Sequence, residues 1–83
     1  VIATDLARLA WRCRRGMLEL DWLLQGFLEG GHYQKLSPQD QAVFVDLLEC
    51  TDAVLLEYLL GRMTPADPAL ANVVREIRRA AAP

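Results

Sequence analysis

A chain of 83 residues with 53% apolar side chains is enough for one hydrophobic core, near the low end of what folds alone. A stability of about 4–12 kcal/mol on the usual per-residue scale leaves little room for a deep catalytic cavity, and a formal charge of -2 gives no bulk attraction to nucleic acid. Cys13 and Cys50 lie far apart in no paired motif, and with His32 as the single histidine they fall short of a zinc site, so no metal is expected.

The pattern predicts an all-α, compact single-domain bundle of five short helices spanning 1–83, at about 5–14, 17–29, 38–49, 52–60 and 68–79. In the first, Thr4 suits the N-cap and Asp5 the positive helix end. Leu6, Leu9, Ala10 and Cys13 share one face, and Arg8, Arg12 and Arg15 follow at i, i+4, i+7 on another. Gly16 interrupts. The second helix carries a wide apolar stripe of Met17, Leu20, Leu23, Leu24, Phe27 and Leu28, with Leu18 and Trp22 to its side, and Gly30-Gly31 ends it.

His32 to Leu36 reads as a short loop with an exposed histidine. Ser37-Pro38-Gln39-Asp40 is a strong start signal: a capping hydroxyl, proline at the first helical position and an acid at N3. Val43, Phe44, Leu47 and Leu48 then face inward. Thr51 or Asp52 caps the fourth helix, whose apolar residues are Leu55, Leu56, Leu59 and Leu60, and Gly61 stops it. Asp67-Pro68 opens the fifth helix on the same logic, with Leu70, Val73, Val74 and Ile77 inward and Arg75, Arg78 and Arg79 near its negative end. Ala80 to Pro83 is expected to fray.

No catalytic set stands out. A nucleophile–base pair would need a cysteine beside His32, the carboxylates Glu19/Asp21 and Asp46/Glu49 read as solvated helix charges, and Gly26, Gly30 and Gly31 follow no strand and make no phosphate loop. The Arg-rich first helix raises a helix-turn-helix reading, but the helix after it is acidic. No basic-then-apolar leader opens the sequence and no apolar run is long enough to span a bilayer, so a soluble cytoplasmic monomer is expected.

One stretch stands apart. Four of the nine basic residues, Arg8, Arg12, Arg14 and Arg15, crowd into residues 8–15, and Gly16 and Glu19 follow at once. A purely local reading makes Gly16 the N-cap of the second helix and Glu19 its N3 capping-box acid. It leaves the crowding of like charges unexplained.

Residues 8–21, with Arg15-Gly16-x-x-Glu19 at their centre, resemble the signature of the SdhE family of bacterial succinate dehydrogenase flavinylation factors, which has mitochondrial assembly-factor relatives. Two further blocks are similar to that family: Leu36-Ser37, Phe44, Leu47-Leu48-Glu49-Cys50, Asp52, Leu55 and Leu59; then Pro65-Ala66-Asp67 and Val73-Val74-Arg75. The sequence departs from the pattern in a slightly longer Gly30–Lys35 loop, Tyr58 where tryptophan is frequent, Thr51 where an acid is frequent, and a short alanine-rich tail.

The resemblance implies a non-enzymatic helper. Such a helper binds the flavoprotein subunit of succinate dehydrogenase or fumarate reductase and promotes covalent attachment of FAD to it. The helper itself holds no cofactor and acts on the FAD of its partner. The resemblance also implies a partner-binding set. Arg15 and Glu19 lie side by side across Gly16 as the charged pair, Arg8, Arg12 and Arg14 steer the approach, and Trp11 and Met17 are at the margin of core and interface. The family has been described as antitoxin-like as well, and a generic helical adaptor using the same Arg-rich face is the remaining alternative.

Overall fold

A computed structural model describes residues 2–82, with side chains from Leu6 onward, as six helical segments and no strand among them. They are α1 (Ile2–Arg12), α2 (Leu18–Glu29), α3 (His32–Lys35), α4 (Pro38–Leu47), α5 (Asp52–Leu59) and α6 (Pro68–Ala81). The all-α bundle is as expected, with one segment more.

The extra segment is α3, a single turn in place of the loop expected at His32–Leu36. Its entry is Gly31, whose φ of 79° suits glycine. His32 is half-buried, not exposed: its ring stacks on Phe27 at 5.6 Å and packs against Gly30, where a Cβ would lie 2.8 Å from it. At the first helix the backbone is already helical at Ile2, ahead of the expected start, and the capping roles of Thr4 and Asp5 lie outside the described side chains. At the far end α6 continues through Ala80 to Ala81 instead of fraying there; Pro83 lies outside the described residues.

Three predicted starts are made as read. Ser37 Oγ accepts the Asp40 N–H (3.1 Å), Thr51 Oγ1 the Val54 N–H (3.3 Å) and Asp67 Oδ1 the Ala69 N–H (2.9 Å), with Pro38 and Pro68 opening α4 and α6. Gly61, at φ 79°, ends α5 as expected.

The core sits where α6 packs on α2, α4 and α5, with α2 also against α5. Leu20, Leu24, Phe44, Leu47, Leu55 and Val73 are fully buried there. Phe44 is its aromatic centre, stacked on Phe27 at 5.5 Å and met edge-on by Tyr33 at 5.3 Å. α1 adds Leu9 and Cys13. Several predicted apolar positions lie further out: Leu6, Ala10, Met17, Leu23, Val43, Leu56 and Leu70 are half-buried and Leu60 is exposed. The radius of gyration, 11.7 Å, matches the roughly 12 Å of a close-packed chain of this length.

Candidate functional site

The site is the junction between α1 and α2. The helix ends at Arg12, and the N–H groups of Cys13 and Arg14 still bond back to α1. Gly16 then turns the chain at φ 84°, in the left-handed region where a side chain costs about 1–2 kcal/mol. The space a Cβ would occupy at Gly16 is open, so the glycine is required by the turn and not by a neighbouring atom.

The local capping reading is corrected here. The N-cap of α2 is Met17, which makes no side-chain cap, and Glu19 falls at the second helical position. The acid that closes the junction is Asp21. Its Oδ1 accepts the Arg15 N–H, and its own N–H bonds the Met17 carbonyl (2.9 Å).

The expected side-by-side cation and anion are not formed, because the two groups point in different directions. Arg15 turns inward, its side chain 18% exposed, onto the connection between α4 and α5. Its Nε donates to Asp52 Oδ1 (2.8 Å), one terminal nitrogen to Leu48 O (3.0 Å) and more weakly to Arg12 O (3.4 Å), and the other to Cys50 O (2.9 Å). The physical reason is the carbonyl-rich end of α4 meeting the first turn of α5. Orphan carbonyls there favour a cation, and the acid of the next helix completes the pair. Arg12 is also tied across, to Glu49.

Glu19 points outward and makes no hydrogen bond or ion pair among the described residues. Arg8 and Arg14 are likewise exposed and outside any ion pair among the described residues, Arg14 lying 5.1 Å from the centre of the Trp11 ring. Trp11, weighed between core and interface, is 69% exposed. Met17 is half-buried against the core, a packing residue with a free edge.

Two residues missing from the expected set stand on this face. Leu18 is 85% exposed and Trp22 66%, and their i, i+4 spacing on α2 puts them side by side. The signal for them is their position beside the apolar stripe, where a large hydrophobe has no core to enter. Beyond Trp22 a hollow of about 170 Å³ runs to the end of α6, lined by Trp22, Leu23, Gly26, Phe27, Ala80 and Ala81.

Burial acts on one titrating group near the junction. Desolvation pushes the Cys13 thiol up from 9.0 to about 11, opposed by the nearby Arg15 and Arg12 charges and reinforced by Asp21. Such a thiol is inert at neutral pH. Among the described residues no group of three or more His, Cys, Asp or Glu could hold a metal ion, and no helix is long and apolar enough to cross a membrane.

The arrangement offers a surface for contact: apolar side chains, an exposed carboxylate and exposed guanidinium groups near a fixed turn. Residues 7–81 match the protein family described as flavinator of succinate dehydrogenase. The chain belongs to that family. Among its relatives, the FAD assembly factor SdhE of Shewanella oneidensis is 47% identical over 79 residues, 95% of each chain. The protein of the same name from Pseudomonas aeruginosa is 46% identical over 74 residues, 89% of this chain and 87% of the relative. That from Coxiella burnetii is 38% identical over 72 residues, 87% of each. The flavinator match spans the whole junction and both of its anchors, the Leu48–Asp52 connection and Asp21.

Proposed function

We propose that this chain is an FAD assembly factor that docks on the flavoprotein subunit of succinate dehydrogenase, or of its fumarate reductase relative, and promotes covalent flavinylation there. The observation that carries the reading is the junction itself, in a member of the flavinator family. Gly16, Leu18 and Glu19 face solvent at a turn anchored from beneath, with Trp22 one helical turn beyond Leu18 and Arg14, against the exposed Trp11, just before the turn.

The helper brings no catalytic group of its own. Its action is to hold one conformer of the client with cofactor and attacking residue in register, which lowers a barrier by positioning and shifts the client's population toward that conformer. The exposed hydrophobes supply contact area, Glu19 offers a charge-assisted hydrogen bond, and Arg8 and Arg14 steer the encounter. Arg15 acts from below the surface, already engaged with Asp52, while the exposed Arg12 is tied to Glu49. The chain works as a cytoplasmic monomer, binds no nucleic acid and inserts in no membrane. It holds no FAD of its own and meets the cofactor only in its client.

The test is covalent flavin fluorescence of the client subunit in a denaturing gel, with and without this protein. Wild type is expected to raise the signal. Glu19→Ala keeps the fold and lowers it. Gly16→Arg strains the turn by about 1–2 kcal/mol and projects a side chain into open space, so it stays folded and loses the signal as well. Full activity in both variants would overturn the site. Capture of a small membrane protein in place of the flavoprotein would overturn the function.

A further inference from the structure

We infer that Asp52 is a positioning residue for docking: acting through Arg15, it sets the direction in which Gly16, Leu18 and Glu19 face the client, without touching the client itself. The inference rests on the docking reading above and adds to it a residue that lies well outside the signature stretch.

The turn has few ties of its own. From Arg15 to Met17 the described main-chain hydrogen bonds are the Arg15 N–H to the Asp21 carboxylate and the Asp21 N–H to the Met17 carbonyl. Both belong to α2, so they shape the turn but do not attach it to the rest of the molecule. Beside the packing of Met17 against the core, polar attachment comes from the Arg15 guanidinium, which reaches Leu48 O, Cys50 O and Asp52 Oδ1 on the α4–α5 connection.

Of these acceptors only Asp52 carries a charge, and it pairs with a guanidinium shielded from solvent, where charge-assisted bonds are the strong ones. The capping of α5 does not depend on Asp52, because Thr51 accepts the Val54 N–H. The Asp52 carboxylate is therefore not the side-chain cap of α5, although it lies in the first turn, where an acid suits the helix dipole. Its tie across the molecule is to Arg15, and Arg15 helps to hold the turn.

The experiment compares Asp52→Asn, Asp52→Glu, Arg15→Gln and the Asp52→Asn/Arg15→Gln pair with wild type, at a temperature where circular dichroism reports each as fully folded. The readout is Kd for the isolated flavoprotein subunit, together with amide hydrogen exchange by mass spectrometry. Asp52→Asn is expected to weaken binding about tenfold, as loss of a charged hydrogen bond would, and to speed exchange in the 13–18 segment while the Phe44 and Leu55 segments keep their protection. Asp52→Glu restores affinity most of the way. The double variant loses less affinity than the two single losses combined, because both substitutions remove the same clasp.

Wild-type affinity in folded Asp52→Asn would overturn the inference, as would strict additivity of the two substitutions, which would mean that Arg15 meets the client directly. Where Asp52→Asn does not fold, Asp21→Ala, which frees the turn from the α2 side, and Asp52→Glu carry the same comparison. Failure of the docking reading is a separate result: the wild-type chain would not bind the flavoprotein, or Glu19→Ala would bind as wild type.

Discussion

Glu19 and Asp21 stand two positions apart in one turn of α2 and have opposite fates, the first exposed with no partner among the described residues and the second folded back on the Arg15 N–H. The nearby Cys13 thiol has its own consequence. It remains protonated to about pH 11 in the folded chain, against 9.0 for an ordinary thiol. Above pH 9 the unfolded chain loses this proton first, so unfolded molecules bind fewer protons than folded ones and stability falls as pH rises through about 11. Below pH 9 the group contributes no pH dependence. Urea denaturation of wild type and Cys13→Ala from about pH 7 to 11 is expected to show a steeper alkaline decline in wild type, and equal slopes would count against the burial effect. At this scale the sequence drew attention to Glu19 and the arginines, but it read Asp21 as a solvated charge and Asp52 as a helix cap, and it gave none of the side-chain directions. The i, i+4, i+7 spacing of Arg8, Arg12 and Arg15 projects onto one face only while the helix continues. Here the chain leaves the helix after Arg12, and Arg15 takes its direction from Leu48 and Asp52, which are distant in sequence.

Among the elements, α4, α5 and α6 were legible because their starts are written in local chemistry: a capping oxygen, and for α4 and α6 a proline after it. The one-turn α3 was not legible, since four residues hold no periodicity and its placement depends on His32 packing against Phe27. Helix α2 carries a cost that the fold does not require. Gly26 lies in its interior at an ordinary helical angle, exposed, and beyond the helix's own backbone no atom comes within 4 Å of the place a methyl group would take. Gly26→Ala is expected to raise stability by about 0.5–1 kcal/mol, read as a higher Tm. An unchanged or lower Tm would mean that the helix is strained at that point.

For the molecule as a whole, the ring of Phe44 joins α4 to α2 and α3 through Phe27 and Tyr33 and has no solvent exposure. Truncation to alanine costs about 3–5 kcal/mol, a large share of the roughly 4–12 kcal/mol available to a chain of this size. Phe44→Ala is therefore expected to be largely unfolded at about 37 °C by near-UV circular dichroism, and a cooperative native transition at the wild-type temperature would contradict the packing described. The apolar pattern was sufficient to place this core, since burial depends on hydrophobic periodicity. The outer face was harder to read, because Leu18 and Trp22 belong to the same residue types as the core and only the packed structure leaves them outside.

The acceptors that anchor Arg15 lie 33 to 37 positions further along the chain. A nascent or clipped polypeptide that stops before Leu48 still contains the entire signature stretch, yet lacks the distant acceptors that align it. On the docking proposed above, recognition waits until the chain through Asp52 has been made, and fragments that carry the right letters without the right shape are passed over.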